Sequence, residues 1–261
     1  MACAAARGHI RNNQVAKLHK KSDMRKSVFR FKQFDCMHGG GSMKIGVDAV
    51  LVGAWADVSD AGSILDVGTG CGVIALMCAQ RQPGAKVTAI DIDEASVAEA
   101  RVNFAASPWS NRLSALNVDF VDFKMSEVDL IVSNPPYFDS GITNPGTPRL
   151  VARHEDGLSP AVILERGASM LSDTGRIAMI VPALRFDEVC DSAKSAGLSL
   201  RRAEKVRGHE KAPVKRVLLE FCNATVPSLA FEGIPTLTLE ESPGLPTAAH
   251  RALCHDFYLK Y

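Results

Sequence analysis

The run Ile64-Leu65-Asp66-Val67-Gly68-Thr69-Gly70-Cys71-Gly72-Val73-Ile74-Ala75-Leu76 constrains this chain more than any other stretch. It reads as an apolar strand that passes into a glycine turn and then into an apolar helix. Alternate glycines at 68, 70 and 72 permit a bend sharp and bare enough for a nucleotide-sized ligand to lie against the backbone. A strand, such a turn and a helix make half of a nucleotide-binding α/β unit. The dinucleotide fingerprint needs its third glycine one place later, where Val73 stands, which weakens a pyrophosphate reading.

The rest of the chain repeats the alternation. Strand patterns fall at 63–67, 86–91, 112–117, 129–133, 175–181, 198–206 and 214–222, and helix patterns at 72–81, 93–106, 159–171 and 186–196. A further helix begins at Asp48, and a Pro/Gly-rich loop covers 134–148. This order predicts an α/β fold: a mainly parallel seven-stranded sheet, helices on both faces and right-handed crossovers. The last two strands have no helix between them, so an antiparallel terminal hairpin is expected. Residues 247–261 read as a closing amphipathic helix, and Phe29 and Phe31 as part of a short early strand. With no repeat and no second domain in view, the organisation is a basic leader over 1–26 followed by one domain over 27–261.

Apolar residues make up 46% of the 261, enough for a large core. The net charge of +1 conceals an uneven start, where Arg7, Arg11, Lys17, Lys20, Lys21, Arg25, Lys26, Arg30 and Lys32 face the single acid Asp23. Such a leader suits a polyanionic partner and suits a solvated tail equally well; an organelle-targeting peptide is a third reading. The 7 cysteines are scattered and lack zinc spacing, so they read as reduced thiols of a cytoplasmic protein that holds no metal. No apolar run approaches the ~20 residues that span a bilayer, so no membrane partner is expected.

In open α/β sheets a ligand lies beyond the carboxyl ends of the strands. Asp66, Asp91, Asp119 and Asn134 follow four successive strands and are the first candidates. An acid at the end of the second strand can accept both hydroxyls of a ribose, the role read for Asp91, with Ile92 beside it. Asp119 suits the exocyclic amine of an adenine whose ring packs on Phe120, and Asp66 the charged amino-acid end of the ligand. Lys44 and Asp48 flank the start of the helix just upstream of the glycine turn.

Val132-Ser133-Asn134-Pro135-Pro136-Tyr137-Phe138 carries the chemistry. Consecutive prolines keep the backbone extended and remove two donors, which leaves carbonyls aimed forward. The Asn134 side-chain oxygen and the Pro135 carbonyl then offer two acceptors to one NH2 group. A planar amine is a poor nucleophile because its lone pair is delocalised. Two acceptors drawing on its hydrogens favour the pyramidal geometry that attacks. Tyr137 is placed to stack on the base.

The Asp-x-Gly-x-Gly-x-Gly run together with Ser-Asn-Pro-Pro-Tyr resembles the class I amino methyltransferases, which act on adenine N6, guanine N2 or glutamine N5. Phe29-Arg30-Phe31-Lys32-Gln33-Phe34, Met43-Lys44-Ile45-Gly46-Val47-Asp48, Leu51-Val52-Gly53-Ala54-Trp55, Ser107-Pro108-Trp109 and Arg153-His154-Glu155 narrow the likeness. They resemble the bacterial family that methylates N6 of adenine 37 in valine tRNA. The resemblance implies a Rossmann-like fold, S-adenosyl-L-methionine as cofactor and tRNA as partner. It puts Lys44, Asp48, Asp66, Gly68, Gly70, Gly72, Asp91, Ile92, Asp119, Phe120 and Asn134 around the cofactor, and Asn134, Pro135, Pro136 and Tyr137 around the target amine. Gly39-Gly40-Gly41 departs from the family pattern, and residues before Lys26 fall outside it.

A basic rim agrees with an RNA partner. Arg201, Arg202, Lys205, Arg207, His209, Lys211, Lys215 and Arg216 gather about the loop between the last two strands, interrupted by Glu204 and Glu210. Arg30, Lys32, Arg207, Lys211, Lys215 and Arg216 are the candidate phosphate contacts, although an ordinary solvated hairpin explains such charges too. A monomer is expected. Two other functions stay open: a release-factor glutamine N5-methyltransferase, whose usual helical domain this short basic start does not suit, and a non-catalytic RNA-binding scaffold.

Overall fold

The computed structural model describes residues 27–40, 42–136, 158–224, 226 and 229–261. A hairpin of β1 (Ser27–Arg30) and β2 (Asp35–His38) leads into α1 (Val47–Trp55), β3 (Ser63–Val67), α2 (Val73–Arg81), β4 (Lys86–Asp91), α3 (Glu94–Ala106), β5 (Leu113–Asn117) and β6 (Val128–Ser133). The second half holds α4 (Pro160–Ala168), β7 (Leu171–Pro182), α5 (Phe186–Ser195), β8 (Ser199–His209), β9 (Arg216–Cys222), β10 (Thr236–Ser242), β11 (Leu245–Pro246) and α6 (Ala248–Cys254).

Helix starts follow local chemistry. The side chain of Asp93 accepts from Ser96 N at 2.8 Å to begin α3, and Thr247 accepts from His250 N at 3.1 Å to begin α6. Ser159 caps α4 with Pro160 in its first turn. Central strands are apolar on both sides because helices cover both faces: Ile64 and Leu65 of β3 and Leu130 and Ile131 of β6 are fully buried, each pair split between two core clusters.

The main sheet runs β11-β10-β8-β9-β7-β6-β3-β4-β5. The expected seven strands form its body, with β9 antiparallel between β7 and β8. The edge carries two more, because β10 pairs parallel with β8 and β11 folds back on β10. The closing helix is also shorter than its pattern suggested. It stops at Cys254, and the chain turns so that Phe257 is buried and Tyr258 bridges Phe31 of the N-terminal hairpin. Tertiary burial of two aromatic residues outweighs continuation of the helix.

β3 is hydrogen-bonded to β4 on one side and β6 on the other, so connections leave it in opposite directions. A crevice opens at the carboxyl ends of strands at such a switch point. The glycine turn follows β3 and Asn134 follows β6, so both border that crevice. The leader 1–26, Tyr137 and Arg153-His154-Glu155 lie outside the described residues.

Candidate active site

A cavity of about 460 Å³ occupies the crevice. Gly68 and Gly70 form one wall, both at positive φ, and the turn is held down by Gly68 N and Thr69 N donating to Ile90 O, each at 3.0 Å. Asp91 and Ile92 line it from the end of β4, Asp119 and Phe120 from beyond β5, and Asn134 and Pro136 from beyond β6. Lys44 and Gly46 line it from the segment ahead of α1.

Asp91 ties the wall together: one carboxylate oxygen accepts from Gly70 N at 2.8 Å and the other from Asp93 N at 3.0 Å. Burial pushes its carboxyl above the usual range, and those two N–H groups oppose the rise. Each oxygen keeps further acceptor capacity on the cavity side. Asp119 accepts from Val121 N at 2.9 Å, beside the buried ring of Phe120. An acid at the ribose position, an apolar slab with a second acid at its edge, and a bare turn fit a cofactor built on adenosine.

Other predicted residues stand elsewhere. Asp66 does not line the cavity; it is wholly buried behind the turn, accepting from Thr69 Oγ1 at 2.5 Å and Ala75 N at 3.1 Å. Burial pushes its carboxyl up to about 7. The alternation of β3 turns its side chain under the turn, where it braces the start of α2. Gly72 is also off the wall, at the N-cap of α2 against Phe104. Asp48 is not on the wall either, because its carboxylate accepts from Arg216 Nε at 2.8 Å, joining α1 to β9. Pro135 is buried behind Asn134.

The basic rim divides. β8 runs parallel to β10 and antiparallel to β9, so the 209–215 loop stands at the cavity end of the sheet and Arg201 and Arg202 at the other. Those two arginines bind the fully buried Glu220 instead. Arg207 is held by Thr238 and Glu210, Arg216 by Asp48, and Lys32 donates to His255 O and Tyr261 O. Arg30 is exposed and lies 4.0 Å from Asp35. Lys211 and Lys215 are exposed, with no ion pair among the described residues. Sequence position groups these cations, whereas partner acids divide them.

Ser42, Glu99, Asn103 and Leu158 were missed by the sequence reading. Ser42 and Leu158 line the cavity, and Glu99 and Asn103 hold its upper wall from α3. The signal for Glu99 and Asn103 is their i, i+4 spacing among Ser96, Val97, Ala100 and Phe104, which form the buried face of the helix. Among the described residues no group of three or more metal-ligating side chains comes together, no helix is long and apolar enough to cross a membrane, and the cysteines are free thiols.

Fold and cavity together define the class: a Rossmann-like α/β methyltransferase that uses S-adenosyl-L-methionine. Residues 47–181 match the methyltransferase small domain family. The chain is 41% identical over 238 residues to the tRNA1(Val) (adenine(37)-N6)-methyltransferase of Trichodesmium erythraeum, covering 89% of this chain and 98% of that one. It is 39% identical to the enzyme of that name from Pedobacter heparinus, covering 90% and 100%, and 35% identical to that of Vibrio vulnificus, covering 92% and 99%. The fold also matches the crystal structure of a predicted O-methyltransferase from Agrobacterium tumefaciens, with a TM-score of 0.62, 17% identity and coverage of 80% and 96%. The chain belongs to the tRNA1(Val) (adenine(37)-N6)-methyltransferase family.

Proposed function

We propose that this protein methylates N6 of an adenine in tRNA, adenine 37 of valine tRNA, as a monomeric enzyme of the cytoplasm. One observation carries the reading: Asn134 and Pro136 share a cavity with Gly68, Gly70 and Asp91, so an amine-binding corner and a cofactor-binding turn open on the same space. The free cysteines agree with a reducing compartment.

S-adenosyl-L-methionine, when bound, supplies an electrophilic methyl group. Asp91 is assigned to the ribose hydroxyls, with Ile92 and Phe120 flanking the adenine and Asp119 at its amine. Gly68 and Gly70 allow the ligand to approach the backbone, and Lys44 stands at the lip. Asn134 Oδ1 and the Pro135 carbonyl accept from the substrate amine and draw it out of conjugation, which stabilises the attacking geometry over the planar ground state. The prolines fix those acceptors in place before substrate arrives, so little reorganisation accompanies the reaction. An anticodon-loop base enters by unstacking, while Lys211 and Lys215 hold backbone phosphates.

The test is transfer of a labelled methyl group to purified valine tRNA, with a translation release factor as the competing acceptor. Asn134→Ala is expected to lower kcat by about 10²–10³, the scale for losing one transition-state acceptor or donor, while the cofactor Kd stays within about threefold. Methylation of the release factor in place of tRNA refutes the substrate assignment. Near wild-type turnover by the variant refutes the role of Asn134.

A further inference from the structure

The described residues between β2 and α1 form no helix or strand, yet Ser42, Met43, Lys44, Ile45 and Gly46 supply a wall of the cavity. One buried carboxylate fixes its start. Glu99, on the second turn of α3 and 7% exposed, accepts from Gly40 N at 3.0 Å through Oε1. Its Oε2 accepts from Ser42 N at 3.2 Å and from Ser42 Oγ. One helical turn further on, Asn103 accepts from Met37 N at 2.9 Å and donates to Met37 O and Cys71 O, both at 2.8 Å. The same helix face therefore holds the segment before α1 and the glycine turn at once. A Cβ on Gly70 would lie 3.7 Å from Ser42 Cβ, so that segment passes directly across the turn.

We propose that Glu99 is a positioning residue for cofactor binding: it holds Gly40 and Ser42 so that the wall they begin closes over the glycine turn. The inference rests on the cofactor assignment above and adds a residue that never touches the ligand. Three donors converge on one carboxylate, and a buried carboxylate is tolerated because they satisfy it. An amide of the same shape turns an NH2 group toward N–H donors, so Glu99→Gln breaks the arrangement without creating a cavity. A wall that is no longer held must be ordered by the ligand itself, which lowers affinity.

The test measures S-adenosyl-L-methionine and S-adenosylhomocysteine binding by calorimetry at 25 °C, with steady-state kinetics on valine tRNA. Glu99→Gln is expected to raise both cofactor Kd values about tenfold to a hundredfold, leaving kcat at saturating cofactor and KM for tRNA within about threefold. Ser42→Ala removes one of the three bonds and is expected to raise Kd about threefold to tenfold. The double variant should weaken binding at least as much as Glu99→Gln alone and by no more than the product of the two single effects, since both changes act on bonds to one side chain. A Glu99→Gln protein with a lowered Tm but an unchanged cofactor Kd overturns the proposal, as does a loss confined to kcat. Should Glu99→Gln fail to fold, an unchanged Kd for Ser42→Ala overturns it equally. Wild-type protein that binds neither ligand refutes the cofactor assignment as well, whereas wild-type binding with unaltered variants refutes this inference alone.

Discussion

Gly70 and Gly72 look equivalent in the sequence but stand in different surroundings, and replacing each by alanine separates folding from binding. At Gly72 φ is +84°, and an added Cβ meets Phe104 Cε1 at 2.5 Å, Phe104 Cζ at 2.9 Å and Ala100 Cβ at 3.2 Å. Phe104 is 3% exposed on α3, so its ring has no free space to enter. The left-handed backbone costs about 1–2 kcal/mol for a residue with a Cβ, and overpacking adds about 1–3 kcal/mol. Gly72→Ala should therefore lose about 3 kcal/mol, a fall in Tm of about 6–12 °C for a chain of this size. At Gly70 φ is +54°, and the added Cβ finds Ser42 Cβ at an ordinary 3.7 Å. Only the backbone cost of about 1–2 kcal/mol applies there, but the methyl group lies between two residues that line the cavity. Gly70→Ala should weaken S-adenosyl-L-methionine at least tenfold, about 1.4 kcal/mol, with the smaller change in Tm. Thermal denaturation without ligand and calorimetric titration at 20 °C read the two quantities separately. Equal changes in both variants, or the opposite ranking, refute the assignment of one glycine to packing and the other to the ligand.

Asp66 titrates against stability. Its folded-state carboxyl is raised from 3.8 to about 7 by burial, so between those values the folded protein holds more protons than the unfolded chain. Stability therefore falls as pH rises from about 4 to 7, by about 4 kcal/mol at the upper limit, and is flat in this respect above that window. Urea titrations of ligand-free protein at several pH values should show this slope in the wild type and not in Asp66→Asn; parallel curves count against it. Glu220→Ala removes the carboxylate that Arg202 and the Asp57 N–H share at a fully buried position, while Arg201 keeps Asp57 at 3.3 Å, and urea denaturation should register a loss of about 1–3 kcal/mol. Lys211→Gln and Lys215→Gln should each reduce the salt dependence of tRNA binding by about one unit of slope while cofactor Kd is unchanged. Arg207→Gln should do less, because its guanidinium is already held by Thr238 and Glu210.

Much of the site was legible because it is built from local rules. A strand that ends in alternate glycines can only bend, and an asparagine followed by two prolines can only continue extended, so both corners were readable before any contact was known. Strand-end positions bring Asp91, Asp119 and Asn134 to the cavity wall. The same rule misplaced Asp66, because it locates the end of a strand but not the face on which the last side chain falls. The family resemblance puts Asp48 around the cofactor, yet its carboxylate is drawn to Arg216, 168 residues away in sequence. The two edge strands leave little apolar signal because β10, Thr-Leu-Thr-Leu-Glu-Glu-Ser, has only two apolar residues and gains its place from β8.

By itself, then, the sequence determined the alternation of strands and helices, the sharp turn after β3 and the rigid Asn-Pro-Pro corner after β6, since these follow from backbone sterics within a few residues. The tertiary structure decided which carboxylates face the cavity, which cations are held by acids and which side chain holds the upper wall. Those outcomes depend on burial and on partners such as Glu99 with Gly40 and Ser42, nearly 60 residues apart, that meet only after the sheet has formed.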